Sequence, residues 1–363
     1  MNSQERVHAA LRREPVDRLP VYMWFHPQTT QRLAEMLEIP PQFVGDVMGN
    51  DVHQIWVNNN YAMEGIVHEE EGGQHTDDWG ITWVRRFGFN QIETYPLAGA
   101  SAETVMNYRF PYDSLDSLFA PMQALAQASE GYFLGCDVSP CAFEMYWRLR
   151  GMEDTFLDIA ADFELARHMI RGYVDFSLCL AEHAMEQFPL DWLWTGDDVA
   201  SQQGMLFSPG TWRRLVKPEL ARLFQAAKDR GLWVAYHCCG SLRPIIPDLI
   251  EIGLDVLNPI QSNCPGMDAL ELKRAFGHDL AFMGGVDTQG LLPNGTISEV
   301  RRATAALIEG MTQDGGGYIL AASHTIPPET PDENIFAMYA EAGISQEEIF
   351  DRAAETRSRL KKK

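Results

Sequence analysis

The residues best suited to chemistry in this sequence are a histidine and two cysteines that end an apolar run. Residues 234–236 are apolar or aromatic and precede His237, Cys238 and Cys239, a pattern that predicts a buried strand. Strand side chains alternate between faces, so we expect His237 and Cys239 on one face and Cys238 on the other. An imidazole and a thiolate together suit Zn²⁺, which needs three or four ligands. The alternative is a buried histidine beside inert core cysteines.

Strand-like apolar runs recur along the chain, and helical patterns separate most of them. The candidate strands are residues 19–25, 53–57, 132–138, 192–194, 232–236, 256–260, 280–283 and 318–321. Helical spacing is found at residues 209–230, 242–252, 268–276, 298–314, 331–342 and 346–361. Eight alternating βα units predict an α/β protein with a closed (β/α)₈ barrel, the TIM barrel. An open doubly wound sheet is the alternative, but no Gly-x-Gly-x-x-Gly follows any strand.

Two regions fall outside this alternation. Residues 1–18 predict a short amphipathic helix that extends the barrel at its N-terminus. Residues 66–98 contain short alternating runs broken by Gly and Asn, which predict a β-hairpin inserted after the second strand, where it could serve as a lid. No composition shift marks a linker, so we expect residues 1–363 to form a single domain.

Composition and charge restrict the partners of the protein. The 363 residues carry a formal net charge of −22, which argues against binding to nucleic acid or to anionic membranes. The sequence has no apolar run of membrane-spanning length and begins without a signal peptide. Its six cysteines are scattered, as is typical of the reducing cytoplasm. We therefore expect a cytoplasmic protein.

Polar side chains follow nearly every predicted strand. Barrel enzymes place their chemistry at these C-terminal strand ends, although helix caps and turns also favour such residues. The candidates for substrate binding are His26, Asn58, Asp197, Asn258, Gln261 and Asp287.

His324, after the eighth strand, is the candidate third metal ligand. In a barrel the eighth and fifth strands face each other across the mouth, so its loop can meet that of His237 and Cys239. One cysteine and two histidines would leave a fourth position open, as in catalytic zinc sites. His324 could instead donate a proton without a metal, and Cys264 is a rival third ligand.

Acidic residues near these ligands are candidates for proton transfer. Asp197 and Asp198 are adjacent, so we expect one of them, preferably Asp198, to face the site and the other to cap a helix. Glu144 and Tyr146 begin the helix after the third strand. A glutamate near a helix N-terminus is also favourable for the helix alone.

Several longer motifs resemble the uroporphyrinogen decarboxylase superfamily over nearly the whole chain. They include residues 5–21, 196–218, 255–261 and 284–289, together with His237-Cys-Cys-Gly240 and the stretch from Ser323-His324 to Asn334. The resemblance implies a (β/α)₈ barrel. It also implies one of two activities: cofactor-free decarboxylation of a porphyrinogen, or zinc-dependent methyl transfer between a substrate and a corrinoid protein.

The resemblance favours the methyltransferase branch. The decarboxylases carry substrate-binding arginines after the first strand, whereas residues 23–28 contain none, and Asn58 or Asn59 replaces their aspartate after strand two. Only Tyr146 and His324 match decarboxylase site positions. His237 and Cys239 match the methyltransferase zinc motif, in which His324 replaces a later cysteine.

We therefore expect a zinc enzyme that moves a methyl group between a small methylated donor and a corrinoid (cobalamin) on a partner protein. The donor is expected to be a methoxyaromatic compound, as in an O-demethylase, or a methylthiol. Asp198, Glu144, Tyr146 and His324 are the candidate catalytic residues, and His237, Cys239 and His324 the candidate metal ligands. The alternatives are a decarboxylase of a porphyrinogen or smaller acid, and a non-enzymatic barrel that binds a corrinoid or tetrapyrrole.

Overall fold

The computed structural model describes residues 1–57, 70–87 and 89–361. Its strands in chain order are β1 (Val52–Trp56), β2 (Gln74–Thr76), β3 (Thr82–Arg86), β4 (Phe89–Thr94), β5 (Phe133–Asp137), β6 (Trp192–Gly196), β7 (Ala200–Ser201), β8 (Gly204–Met205), β9 (Trp233–His237), β10 (Val256–Ile260), β11 (Ala281–Val286) and β12 (Tyr318–Ala322).

The α-helices of the same ranges are α1 (Ser3–Leu11), α2 (Pro27–Leu37), α3 (Val44–Met48), α4 (Ala102–Met106), α5 (Leu115–Ala128), α6 (Phe143–Arg150), α7 (Met152–Ala161), α8 (Phe163–Gln187), α9 (Pro209–Leu215), α10 (Lys217–Lys228), α11 (Ile246–Glu251), α12 (Ala269–Phe276), α13 (Leu291–Asn294), α14 (Ile297–Thr312), α15 (Asp332–Glu341) and α16 (Gln346–Leu360). Short 3₁₀ turns occur at Pro41–Phe43, Tyr112–Ser114 and Arg243–Ile245.

A parallel sheet forms the centre of the molecule. Seven of the described strands pair in the order β1–β5–β6–β9–β10–β11–β12. Strands β5, β6, β10 and β12 are buried at every residue, as expected for parallel strands covered on both faces. All C-terminal ends lie at one edge of the sheet. The predicted α/β class is confirmed as a curled, TIM-like parallel sheet with helices.

The first predicted strand, residues 19–25, is wrong as a regular strand. This segment lies beside β12 and makes two isolated parallel bridges, Val21 with Leu320 and Phe25 with Ile326. On its other side, the Val21 carbonyl accepts the Asp51 N–H at 2.8 Å. The Asn50 side chain bonds both the N–H and the C=O of Met23. The Asn50 side chain thus forms hydrogen bonds with backbone groups that would pair with a neighbouring strand in a regular ladder.

Buried Asp51 holds this segment and helix α1 together. Its carboxylate is 0% exposed and accepts hydrogen bonds from Arg6 at 2.6 Å, Arg18 at 2.8 Å and the backbone N–H of Val21 at 2.9 Å. Ser3 adds a further bond at 2.8 Å. A buried carboxylate is tolerated when such partners compensate its lost hydration. The network therefore fixes the N-terminal residues against the start of β1.

The later strands and helices agree with the sequence predictions, with two differences. The predicted helix over residues 209–230 is divided into α9 and α10 at Val216. Pro218 lies in the first turn of α10, where a proline ring is tolerated, whereas it would disrupt the interior of one continuous helix. The predicted helix over 242–252 begins as the 3₁₀ turn Arg243–Ile245.

The region predicted as a hairpin, residues 66–98, contains an antiparallel sheet of β2, β3 and β4 in its described part. The Asp77 carboxylate accepts hydrogen bonds from the backbone of Trp79 and Ile81 and from the Trp83 indole.

Among the described residues, none of the helices combines the length and the apolar composition that a membrane span requires.

Replacing Asp51 with alanine should strongly destabilise the protein. The change leaves the buried Arg6 guanidinium without one carboxylate partner, and removing one member of a buried ion pair costs about 3–5 kcal/mol. Urea unfolding should show a lower midpoint for Asp51→Ala. The exposed Asp351→Ala variant on α16 is the control, with an expected change within about 0.5 kcal/mol. Equal midpoints for the two variants would refute the role of Asp51.

Candidate metal centre and active site

Three metal-binding side chains meet at the C-terminal edge of the sheet. His237 is the last residue of β9, Cys239 follows by two residues, and His324 lies two residues after β12. One ligand atom from each lies within 4.8 Å of the others. The His237 Nε2 atom is 3.5 Å from the Cys239 Sγ atom, and the two imidazole centroids are 5.9 Å apart. The structure thus brings together the three predicted ligands.

The donor set fits Zn²⁺. Zinc–sulfur and zinc–nitrogen bonds of about 2.3 and 2.0–2.1 Å imply ligand atoms roughly 3.3–3.6 Å apart in a tetrahedron. The observed distance of 3.5 Å between Cys239 Sγ and His237 Nε2 lies in this range. The three ligand atoms all lie within 4.8 Å of one another, so the more distant atoms would have to move closer together to bind one zinc ion. Three protein ligands leave one tetrahedral position for another group.

Asn258 on β10 orients His237 for this role. The Asn258 Nδ2 group donates to the Met283 carbonyl at 3.4 Å, so its Oδ1 atom faces His237 Nδ1 at 2.7 Å. The proton is accordingly assigned to Nδ1, which leaves Nε2 as the lone-pair donor. Outer hydrogen bonds of this kind fix the tautomer of metal-binding histidines. Asn258, predicted to bind substrate, lies behind the ligand.

Burial keeps both imidazoles in the neutral form that binds metals. Desolvation, with a smaller contribution from His237, lowers the pKa of His324 to about 4. Desolvation also lowers the pKa of His237, against the opposing effect of its hydrogen bond to Asn258. Neutral imidazoles carry the free nitrogen lone pair that a metal requires.

Gly240 and Gln261 define the turn after Cys239. Gly240 has φ of +85°, and a Cβ atom there would lie 2.3 Å from the Ser201 carbonyl oxygen. Only glycine fits such a close approach at positive φ. The Gly240 N–H donates to Gln261 Oε1 at 2.5 Å. Gln261, another predicted substrate ligand, thus makes a contact that holds the metal-binding turn.

The adjacent aspartates have different environments. Asp197 is 0% exposed, and its two oxygens accept the backbone N–H groups of Phe143 and Glu144 at 3.0 and 2.6 Å. It therefore caps the start of α6. Asp198 accepts the Cys239 N–H at 2.8 Å and lines the cavity beside the ligands. This arrangement agrees with the preference for Asp198 in the site.

Glu144 and Arg148 form an ion pair within the same network. Glu144 Oε1 accepts from Arg148 one turn along α6, and its Oε2 accepts the Asp198 N–H at 3.2 Å. Burial raises the pKa of both Glu144 and Asp198. Asp198 accepts the backbone N–H of Cys239, and Glu144 accepts the N–H of Asp198, so two buried carboxyls of the cavity wall are suited to hold or release a proton.

Two of the three candidate ligands, His237 and His324, line a cavity of about 220 Å³. A larger cavity of about 660 Å³ shares Trp24 and Trp56 as walls. Acidic, basic and aromatic groups surround the smaller cavity. Its described lining is Trp24, Trp56, Asp137, Ser139, Pro140, Glu144, Arg148, Trp194, Gly196, Asp198, His237 and His324.

Other predicted site residues lie away from these ligands. The buried Tyr146 hydroxyl donates to Asp158 at 2.5 Å, and His26 accepts the Gln28 N–H as the cap of α2. The Asp287 carboxylate accepts backbone N–H groups around the start of α13. None of these three residues is among the described lining of the metal cavity. Their catalytic or substrate roles stay predictions.

Two further candidates have different outcomes. The Cys264 thiol contacts the oxygens of Gln261 and Asn263 at 3.8 and 3.7 Å. It is not in the cluster of possible metal ligands found among the described residues, so His324 stays the candidate third ligand. Asn58 lies outside the described residues.

Sequence reasoning missed Arg148 and Trp194 as cavity residues. Arg148 lies four residues after Glu144, on the same helix face, and this spacing was an available signal. Trp194 lies inside a predicted strand and resembled an ordinary core residue. Its ring lies 5.5 Å from that of Trp24 and 6.4 Å from that of His237.

Substituting Asn258 should weaken metal binding without removing a ligand. Asn258→Ala takes away the acceptor for His237 Nδ1–H, and loss of such a contact typically lowers metal affinity about 10–100-fold. Asn258→Asp keeps an acceptor and should retain most of the affinity. Competition with a zinc chelator measures both values. Asn263→Ala, a nearby amide that contacts Gln289, is the control, and an equal affinity of Asn258→Ala and Asn263→Ala would contradict the assignment.

Parts of this chain are similar in sequence to a known protein family and to individual proteins. Residues 179–343 match the family model described as uroporphyrinogen decarboxylase (URO-D). A uroporphyrinogen decarboxylase of Thermus thermophilus is 34% identical over 131 residues, which cover 35% of each protein. The methylated-thiol–coenzyme M methyltransferase of Methanosarcina mazei is 25% identical over 198 residues, covering 54% of this chain and 49% of that protein. The chain thus matches about a third to a half of the length of these relatives.

A solved structure shows the same fold over almost the entire chain. The methyltransferase from Methanosarcina mazei superposes with a TM-score of 0.68 and 17% sequence identity, covering 94% of this chain and 98% of the other. The metal-binding turn at His237 and Cys239 and the third ligand His324 all fall within residues 179–343. Residues 179–343 of this chain, which carry all three candidate ligands, are therefore similar to the uroporphyrinogen decarboxylase (URO-D) family.

Proposed function

We propose that this protein is a zinc-dependent methyltransferase that moves a methyl group between a small methylated substrate and a corrinoid protein. The observation that carries this proposal is the cluster of His237, Cys239 and His324 at the open edge of the sheet. Similarity to two methyltransferases, one in sequence and one in fold, supports the same reaction class. The corrinoid partner comes from the resemblance to the zinc methyltransferase branch.

Each residue of the proposed site would have a distinct role. His237 Nε2, Cys239 Sγ and a ring nitrogen of His324 would hold the zinc, which acts as a Lewis acid toward a sulfur or oxygen atom of the substrate. Asp198 and Glu144 would exchange the proton of that heteroatom, since both are buried and line the same cavity as His237 and His324. Asn258 and Gln261 would position the ligands, and the antiparallel sheet of residues 74–94 would serve as a lid.

Decarboxylation is the second candidate, and the 34% identity to the Thermus enzyme over 131 residues favours it. A porphyrinogen with many carboxylates requires basic groups to neutralise them. The described lining of the metal cavity contains one arginine, Arg148, and that arginine is paired with Glu144. The same lining also contains Asp137 and Asp198, so its charge disfavours such a substrate.

The proposed function is tested by metal content and methyl transfer. The purified protein should contain one zinc per chain and should methylate free cob(I)alamin from methoxyaromatic or methylthiol donors, as followed by cobalamin absorbance. His237→Ala and Cys239→Ala should lower both zinc content and rate, the rate by more than about 100-fold, because a metal supplies several kcal/mol to such a step.

Neighbouring cysteines provide the controls. Cys238→Ala removes a buried thiol that points away from the cluster and should retain zinc and activity. Cys264→Ala should also retain both, whereas His324→Ala should lose zinc. A wild-type protein without stoichiometric zinc, or porphyrinogen decarboxylation by metal-free protein, would overturn the proposal.

A further inference from the structure

The larger cavity, of about 660 Å³, adjoins the metal cavity. The two cavities share Trp24 and Trp56 as walls. The candidate ligand His324 lines the metal cavity, and the next residue, Thr325, lines the larger one. A molecule whose reacting end lies in the metal cavity can therefore extend its remaining part into the larger cavity.

Apolar side chains form much of the wall of the larger cavity. Ile55 and Trp56 come from β1, Phe25 from the segment before α2, and Leu118 and Pro121 from α5. All five residues stay partly exposed. Four of the five residues of β1 are partly exposed, whereas every residue of the neighbouring strand β5 is buried. Apolar groups left partly exposed on a concave surface are typical of a site for an apolar ligand.

The larger cavity offers no counter-ion to an anionic ligand. Its described lining contains no arginine, lysine or histidine. The one charged residue of that lining is Asp78, whose Oδ2 atom accepts a hydrogen bond from Ser114. Gln54, Ser117 and Thr325 add neutral polar groups. A carboxylate placed here would lose hydration without gaining an opposite charge, and Asp78 would repel it.

A zinc ion in the metal cavity would not supply the missing counter-ion. The Cys239 thiolate and the Asp137 carboxylate, which belongs to the lining of the metal cavity, would together balance its two positive charges. Arg148 is already paired with Glu144, and Asp198 adds a further carboxylate to the lining. The loaded centre therefore leaves no excess positive charge to attract an anion into the adjoining cavity.

From the size, walls and charge of the two cavities we infer that the methyl donor is an uncharged aryl methyl ether whose apolar ring occupies the larger cavity. The inference rests on the proposed function and narrows its donors, because it excludes a small methylthiol and a donor with a carboxylate on its ring. The metal cavity of about 220 Å³ would hold a methylthiol by itself. The 660 Å³ of the larger cavity lies within the range of about 300–1,000 Å³ that is usual for larger organic ligands.

An aryl methyl ether meets the requirements of the proposed reaction. Its oxygen has a lone pair that can approach zinc. When the bond between oxygen and methyl breaks, the bonding electron pair stays on the oxygen, and the methyl group bonds to Co(I) of the corrinoid, which supplies a new electron pair. The phenolate then takes a proton from Asp198 or Glu144 in the lining of the metal cavity, and that carboxylate regains a proton from water.

The test compares a charged donor with its neutral isostere. The compounds 4-hydroxy-3-methoxybenzoate and 4-hydroxy-3-methoxybenzamide have nearly the same shape, but only the first carries a carboxylate. Calorimetric titration of the purified protein should give the amide an affinity at least about tenfold higher, because the carboxylate would be desolvated without a counter-ion. Equal affinities, or tighter binding of the benzoate, would overturn the inference.

A cation introduced into the wall should reverse part of this preference. Ser117→Arg on α5 places a guanidinium at the larger cavity and should raise benzoate affinity at least about threefold, as expected for a partly exposed ion pair, with little change for the amide. Gln123→Arg adds the same charge at an exposed position of α5 outside the described lining and should leave both affinities unchanged. If the two variants bind benzoate equally, the ring does not occupy this cavity and the inference fails.

The outcomes distinguish this inference from the proposed function. Methyl transfer to cobalamin from methanethiol or from the benzoate at least as fast as from the amide would overturn the inference and leave the methyltransferase intact. Selective binding of the amide without methyl transfer from any donor would support the neutral binding site and count against the methyltransferase.

Discussion

The buried carboxylate of Asp51 is the contact on which the architecture of the active site depends. It accepts the Val21 N–H and two arginine side chains at the point where residues 20–26 pass between β12 and β1. That segment carries Trp24, whose ring lies against Trp194 and His237. Because the segment is not a regular strand, this ionic network replaces part of the backbone ladder. The position of one cavity wall therefore depends on a charge cluster near the start of β1.

A second network joins the metal-binding turn to helix α6. Asp197 accepts the first N–H groups of that helix, while Asp198 accepts the N–H of Cys239. Two consecutive residues after β6 thus connect the helix bearing Glu144 to the loop bearing the thiol. Because Asp197 is fully buried with both oxygens occupied, it fixes the distance between these parts. The candidate acid–base residues and the candidate metal ligand Cys239 are accordingly joined by one continuous set of hydrogen bonds.

The sequence predicted the sheet and the grouping of His237, Cys239 and His324 because both leave simple patterns. Alternation on a strand selected Cys239 over Cys238, and the barrel topology brought His324 to the same edge as His237. The segment 19–25 was predicted as a strand because its apolar run matches one, whereas its actual contacts come from the polar side chains of Asn50 and Asp51. Side-chain hydrogen bonds that take the place of a strand ladder leave no periodic pattern in the sequence.

The roles of individual polar residues were harder to predict. Asn258 lies within β10 and Gln261 directly follows it, and both were expected to touch substrate. In the structure they hydrogen-bond His237 and the Gly240 N–H, and their contact with substrate stays a prediction. Residue type alone does not show whether a polar side chain contacts a ligand directly or contacts a residue that does so. Tyr146 and Asp287 similarly satisfy buried or capping partners, because polar residues at strand ends serve helices as often as ligands.

The close packing of Gly240 against Ser201 affects how this site can change during evolution. The turn that bears Cys239 has no space for a side chain at Gly240, so the first two ligands are locked to one backbone path. His324 comes from a different strand end and contributes through a single side chain. Metal preference follows ligand softness, so in the proposed metal site an exchange at position 324 alone would change the metal preference and leave the backbone of the turn unchanged.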